Sequence, residues 1–204
     1  GKNVLAATNA YTLNLTNEED LIGLPDYVRE QAADAAKNKN LNGWLFDLTA
    51  PSYGPFMKFS ERRDLREKMY RQYNTRAFGG EFDNTQIIKR IAELRIKVAN
   101  ILGYKNFADY KTEKRMAKST SVINGFLDKL LAPALPKAQQ EVAELNEYAK
   151  TLGFTDEKLM PWDFSFYAEK LRAEKYNINE EQLKPYFQLE SCIGAIFNLA
   201  NRLY

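Results

Sequence analysis

The stretch NTQIIKRIAELRIKVANILG, Asn84 to Gly103, decides the fold class. Ile87, Ile91, Leu94, Val98 and Ile101 recur at three- and four-residue spacing and form one stripe along a helix, with charged side chains filling the positions between. Asp83 stands ahead of it as the expected cap, and Gly103 supplies the residue that a helix C-terminus favours. No strand pattern of comparable length competes with it.

The same period extends outward in both directions. Towards the N-terminus, ERRDLREKMYRQYNTRA places Leu65, Met69 and Tyr73 at i, i+4 and i+8, with Ser60 as the expected cap. Before it, APSYGPFMKFS reads as a short proline-initiated helix and VREQAADAAKNK as an alanine-rich one. NAYTLNLTNEEDLIGLP runs extended and enters a helix near Thr16 or Asn17, where Glu18, Glu19 and Asp20 place negative charge on the helix N-terminus. NGWLFDLT, Asn42 to Thr49, alternates after an Asn-Gly pair and is the one strand-like piece. Towards the C-terminus, NFADYKTE is a short helix. A long one starts at Ser119 to Ser121 with Ile123, Phe126, Leu127, Leu130 and Leu131 on one face. Pro133 and Pro136 predict a kink before the pattern continues to Gly153. PWDFSFYAEKLRAEKY, a turn or two in NINEEQLKPYF, and LESCIGAIFNLANRLY complete the chain. The expected class is all-α, with at most a minor β-hairpin near 43–49. The expected organisation is a single helical segment, 1–204, with sub-lobes 1–118 and 119–204.

Composition excludes several function classes. The chain has 204 residues, is 45% hydrophobic and has a mean hydropathy of −0.52, as expected of a soluble globular protein. Lys and Arg total 29 against 27 Asp and Glu, so no strong field draws it to nucleic acid or to an anionic membrane. The basic cluster KTEKRMAK, Lys111 to Lys118, has no interleaved aromatics for base stacking. No apolar run reaches the ~20 residues that span a bilayer.

Histidine is absent and Cys192 is the only cysteine. A catalytic zinc ordinarily takes two or three histidines, and Ser–His or Cys–His nucleophile pairs need one. Cys192 lies in the apolar run SCIGAIF and reads as a packed thiol. No phosphate loop, dinucleotide fingerprint or nucleophile elbow occurs. Glu141 with Glu144, or Glu180 with Glu181, could pair, but charged residues on amphipathic helices are ordinarily a solvated face. The reading from residues alone is that this polypeptide has no catalytic, substrate-binding or metal-ligating residue of its own. Tyr53, Trp162, Asp163 and Tyr167 admit a substrate-wall reading, against which stands packing for the aromatics and a helix cap for Asp163.

Several stretches in order carry a resemblance: Asn9 to Pro25, GWLFDLTAPSYGPFMKF (Gly43 to Phe59), RRDLREKMYRQYNTRA (Arg62 to Ala77), Asp83 to Tyr110, MAKS (Met116 to Ser119), PWDFSFYAEKLR (Pro161 to Arg172) and LKPYFQLE (Leu183 to Glu190). Together they resemble the thimet oligopeptidase, oligopeptidase A and peptidyl-dipeptidase (Dcp) family of zinc metallopeptidases, nearest to the peptidyl-dipeptidases. The resemblance implies a helical lobe of a neurolysin-like, two-lobed enzyme with a deep channel that admits short peptides. In that family an H-E-x-x-H helix and a downstream glutamate hold the zinc, and all of them lie beyond the region matched here. No metal ligand or catalytic glutamate therefore carries over. The resemblance implies zinc in an intact parent and none on this chain, a cytoplasmic location, and a segment cut from a longer enzyme. It also implies apolar surface along Ile193, Ile196, Phe197 and Leu203 that would support dimerisation of the isolated chain. The alternative from another class is a free-standing helical peptide-binding or adaptor module that has lost catalysis.

Overall fold

The computed structural model describes residues 1–177 and 186–203. Among them the elements run α1 (Lys2–Ala10), β1 (Thr12–Leu15), a 3-10 turn (Glu18–Leu21), α2 (Asp26–Asn38), β2 (Trp44–Asp47), α3 (Ala50–Phe59), α4 (Arg63–Asn74), α5 (Thr85–Ile101), α6 (Phe107–Thr112), α7 (Thr120–Thr151), α8 (Phe164–Tyr176) and α9 (Leu189–Leu203). The fold is mostly α, as the helical period requires. Its chain divides into two compact units, Gly1–Tyr167 and Ala168–Tyr204.

The core of the first unit forms around the two strands. β2 pairs antiparallel with β1 in the register Thr12↔Asp47, Leu13↔Phe46, Asn14↔Leu45 and Leu15↔Trp44. The partner of the strand-like NGWLFDLT is thus the extended run ahead of α2. Leu13, Leu15, Leu45 and Phe46 are buried, and α2 lays Val28, Ala32 and Ala36 against the sheet. Those three recur at i, i+4 and i+8, and the two alanines let the helix backbone approach closely. Phe46 meets Phe56 of α3 edge-on, with ring centroids 4.8 Å apart. Met69 of α4 and Trp162 complete the buried cluster, and Leu65 and Tyr73 pack against it as their spacing in the sequence requires.

Helix ends follow the sequence signals at some positions and depart from them at others. Asn17 accepts from the Glu19 amide, and Ser119 from the Val122 amide, as capping residues do. α5 closes through Gly103 at φ +81°, with the Tyr104 amide on the Ala99 carbonyl and the Gly103 amide on the Asn100 carbonyl, which are the two bonds of a Schellman end. Asp83 accepts from the Thr85 amide and hydroxyl, although the capping position itself is Asn84. Ser60 does not cap α4. It ends α3, its hydroxyl is buried with no partner among the described residues, and its carbonyl accepts from Arg66 Nη1 at 2.7 Å. Helix α4 instead begins at Arg63, and the expected cap fails because Ser60 is drawn into the core. In α7 both Pro133 and Pro136 lie inside one continuous helix, each removing a backbone donor without ending the element.

The stripes that specify α5 and α7 are solvent-facing. Ile87, Ile91, Leu94, Val98 and Ile101 are all exposed, as are Phe126, Leu127, Leu130 and Leu131. On α9, Ile193, Ile196, Phe197, Leu199 and Leu203 are exposed as well. Scattered exposed apolar residues need no cause, but apolar faces this continuous are uncommon on a protein surface.

Candidate functional site

Charge and burial concentrate where α4 meets the turn Met160–Asp163. Pro161 and Trp162 turn the chain so that the Asp163 amide donates to the Met160 carbonyl at 2.8 Å, while Asp163 Oδ2 accepts from the Met160 amide at 3.0 Å. The Asp163 carboxylate is fully buried. Arg63 bridges it from one side, Nε to Oδ1 at 3.0 Å and Nη2 to Oδ2 at 2.8 Å. Arg66 donates to Oδ1 from the other side, through Nη2 at 3.0 Å. The remaining Arg66 bonds run from Nε to the Trp162 carbonyl and from Nη1 to the Ser60 carbonyl, and its guanidinium lies 4.1 Å from the Phe166 ring centroid. Arg63 also reaches Asp156 at 2.7 Å.

Burial alone would raise the Asp163 carboxyl, but hydrogen bonds from Arg63, the Met160 amide and Arg66 outweigh it and hold the group below the usual carboxylate range. Burial pulls Arg66 down from its ordinary value and Asp163 opposes this; a guanidinium nevertheless stays charged at any working pH. An ionised carboxylate with both oxygens engaged and no solvent access is a poor general base. Chemically the cluster is a clamp joining two parts of the chain about a hundred residues apart.

This settles what the four singled-out residues touch. Asp163 sits immediately before α8 and serves the two guanidinia with both carboxylate oxygens. Trp162 is buried, edge-on to Tyr70 at 6.0 Å, with Arg71 above its ring at 4.9 Å. Tyr167 is buried against Phe154 and Phe166. Tyr53 stacks on Tyr73 at 4.1 Å with the planes 13° apart. Burial first, then the neighbouring Tyr70 and Tyr73, push the Tyr53 phenol up to about 12. Trp162, Asp163 and Tyr167 thus share one neighbourhood, and Tyr53 joins the same core through Tyr73.

Sequence reasoning missed Arg66. The signal was present, since Arg66, Met69 and Tyr73 fall at i, i+3 and i+7 on the buried face of α4. An arginine there has to find carboxylate or carbonyl partners.

The residues present do not fit a zinc ion. The chain has no histidine and one cysteine, and among the described residues no three Asp, Glu or Cys converge. Cys192 is half-buried on α9. Glu141 lies 3.9 Å from Lys137, a solvated helix pair, and Glu144 is engaged in an interaction of its own. Glu180 and Glu181 lie outside the described residues. Among those residues, too, no helix is long and apolar enough to cross a membrane.

Comparison with known proteins follows the order of motifs. The sequence model of Peptidase family M3 matches residues 56–204. Oligopeptidase A of Haemophilus influenzae is 38% identical over 208 residues, covering 99% of this chain and 30% of that protein. Oligopeptidase A of Escherichia coli is 37% identical over 207 residues, again 99% of this chain and 30% of the relative. The dipeptidyl carboxypeptidase of Escherichia coli is 32% identical over 206 residues, 98% of this chain and 30% of the relative. Identity is thus higher to these oligopeptidase A proteins than to the peptidyl-dipeptidase, against the subgroup that the motifs suggested. Motifs that both subgroups share locate the family and do not discriminate within it. The chain spans about 30% of the length of these curated relatives.

Proposed function

The chain belongs to peptidase family M3, and from that membership we propose that it is a non-catalytic structural segment of a zinc-dependent metallopeptidase, an oligopeptidase or peptidyl-dipeptidase that hydrolyses short peptides in the intact protein. The observation that carries this reading is the match itself: nearly all of the chain aligns, yet it accounts for less than a third of each relative. The donor inventory supports it, because hydrolysis by a metal-activated water needs ligands this chain lacks. So do the exposed apolar faces of α5, α7 and α9, which the rest of a larger enzyme would cover. In this reading the Arg63–Asp163–Arg66 clamp and the strand pair keep the segment rigid, and zinc belongs to the polypeptide beyond it. The compartment we propose is the cytoplasm. One Arabidopsis thaliana relative is named as a probable cytosolic oligopeptidase A, and another as an organellar one.

Two measurements test the reading. The purified 204-residue chain is expected to leave a fluorogenic short peptide intact with or without added zinc. Hydrolysis abolished by a chelator would overturn the non-catalytic assignment. Oligopeptidase A whose aligned stretch is replaced by this chain is expected to keep kcat/KM within about tenfold of the parent, while excision of the stretch abolishes activity. A folded but inactive chimera would overturn the structural assignment.

The proposal also predicts self-association of the isolated chain through α9, whose exposed face carries Ile193, Ile196, Phe197 and Leu203. Phe197→Glu is expected to shift a sedimentation profile from dimer to monomer, because a charge on an apolar contact is costly to bury. A profile that is monomeric before the substitution, or unchanged by it, removes this contact.

A further inference from the structure

Of the cavities in the first unit, one carries a positioned cation. It lies between the end of α1, the end of α4 and the loop 75–84, and has a volume of about 340 Å³. That falls within the range of about 300–1,000 Å³ typical of small-molecule pockets. Its wall combines apolar side chains, Ala7, Ala10, Phe78 and Phe82, with two charged ones, Arg76 and Glu81.

Arg76 is the unusual member. It is half-buried, and no carboxylate among the described residues lies within ion-pair distance of it. It is nevertheless held in place from several directions. Nε donates to the Tyr73 carbonyl at 2.7 Å, Nη1 donates to the Thr8 hydroxyl at 2.8 Å, and the guanidinium lies 3.5 Å from the centroid of Tyr73. Tyr53 backs Tyr73 from behind, so ring, ring and guanidinium form a stack. These bonds use two of the five N–H donors that a guanidinium carries.

The loop that follows Arg76 is ordered too. The Asn84 amide closes the loop onto the Ala77 carbonyl at 2.9 Å, Gly79 donates to the Asp83 carboxylate at 3.1 Å, and Asn3 of α1 bonds to Asn84 at 3.0 Å. A cation whose orientation is fixed in advance and which keeps three N–H donors, on a pocket of molecular size lined by polar and apolar side chains together, suits a carboxylate that carries an apolar group. Glu81, on the same lining, disfavours a second negative charge on such a ligand.

We propose that this cavity binds a monoanionic carboxylate bearing an aromatic or aliphatic group, with the carboxylate on Arg76 and the apolar group among Ala7, Ala10, Phe78 and Phe82. A free aryl or alkyl acid and the C-terminal residue of a peptide share this chemistry. The test uses the whole 204-residue chain and reads binding rather than hydrolysis, so it stands or falls separately from the peptidase reading. Calorimetric titrations compare 3-phenylpropionate, N-acetyl-Phe-Phe and the primary amide of each. At least one acid is expected to bind saturably, and at least about tenfold more tightly than its amide, since a charge-assisted bidentate pair is lost in the amide. Binding by the peptide acid alone assigns the site to peptide C-termini; binding by both acids extends it to free acids. Arg76→Met is expected to weaken binding at least about tenfold and Arg76→Lys less, because lysine keeps the charge without the fork. Ala10→Trp fills the pocket from an exposed helix end and is expected to abolish binding with an unchanged Tm, which decides the matter if Arg76→Met fails to fold. No saturable binding of either acid, equal affinity for acid and amide, or undiminished binding by the Ala10→Trp variant would each overturn the proposal.

Discussion

Asp163→Ala is expected to destabilise the chain by about 3–5 kcal/mol, because it leaves the Arg66 guanidinium buried beside the Trp162 and Ser60 carbonyls with no counter-charge. Arg63 loses less, being partly exposed and still paired with Asp156. The effect is specific to breaking the pair rather than to its absence. A double variant, Asp163→Leu with Arg66→Met, replaces both charges by apolar groups of similar bulk and is expected to recover most of the loss. Urea unfolding of the three proteins at neutral pH checks this. A double variant as unstable as Asp163→Ala would mean that the clamp contributes geometry and not charge balance. The same carboxylate sets an acid limit. Its folded pKa lies below the ordinary value, so its contribution is fully present above the unfolded carboxylate range and is lost as pH falls through the folded value. An unfolding midpoint that holds steady down to about pH 5 and then declines is the expected profile, with a shallower decline in the double variant, where Asp64 and Asp83 still contribute.

Gly43→Ala is the second large effect expected. Gly43 leads from the Asn42 turn into β2 at φ +90°, a conformation in which an L side chain is strained. Space is lacking as well: a Cβ there would meet the Leu15 carbonyl oxygen at 2.1 Å and the Thr16 Cα at 3.1 Å. Both obstacles are backbone, so neither moves aside as a flexible side chain would. The strand pair has to separate at the Leu15↔Trp44 end, which disturbs a cluster containing Leu13, Leu15 and Phe46. A loss of at least about 3 kcal/mol is expected, combining backbone strain with lost packing. Gly125→Ala is the control. Gly125 lies inside α7 with nothing within 4 Å of a built Cβ, so alanine there is expected to stabilise by about 0.5–1 kcal/mol. Thermal unfolding by circular dichroism measures both.

The two sites differ in how far they could be read from residues alone. The Asn-Gly pair before WLFD announced a turn and a strand, because turn chemistry is local. Which segment would pair with that strand was not legible, since α2 intervenes between β1 and β2. The clamp lies further from view. Arg66 is an ordinary helix-forming residue in a charged sequence, and Asp163 stands two residues after Pro161, where a cap is the local expectation. Only after the chain brings positions about a hundred residues apart together does the carboxylate meet the two guanidinia. Arg76 is a similar case: its separation from acidic groups is a property of the folded neighbourhood.

By itself the sequence determined the helical class, a start near Thr16 or Asn17 and another at Ser119 to Ser121, the α5 stop at Gly103 and the family. These depend on period, capping chemistry and ordered motifs, which act over one to five turns. It also determined that the chain lacks the imidazole donors of a catalytic zinc site, since composition does not change on folding. The tertiary structure decided which stripes are core. Leu65, Met69 and Tyr73 turn inward, while the equally regular stripe of α5 and Phe126, Leu127, Leu130 and Leu131 of α7 remain in solvent. The reason is that periodicity specifies only that a helix has an apolar face; whether that face is buried depends on which polypeptide lies against it.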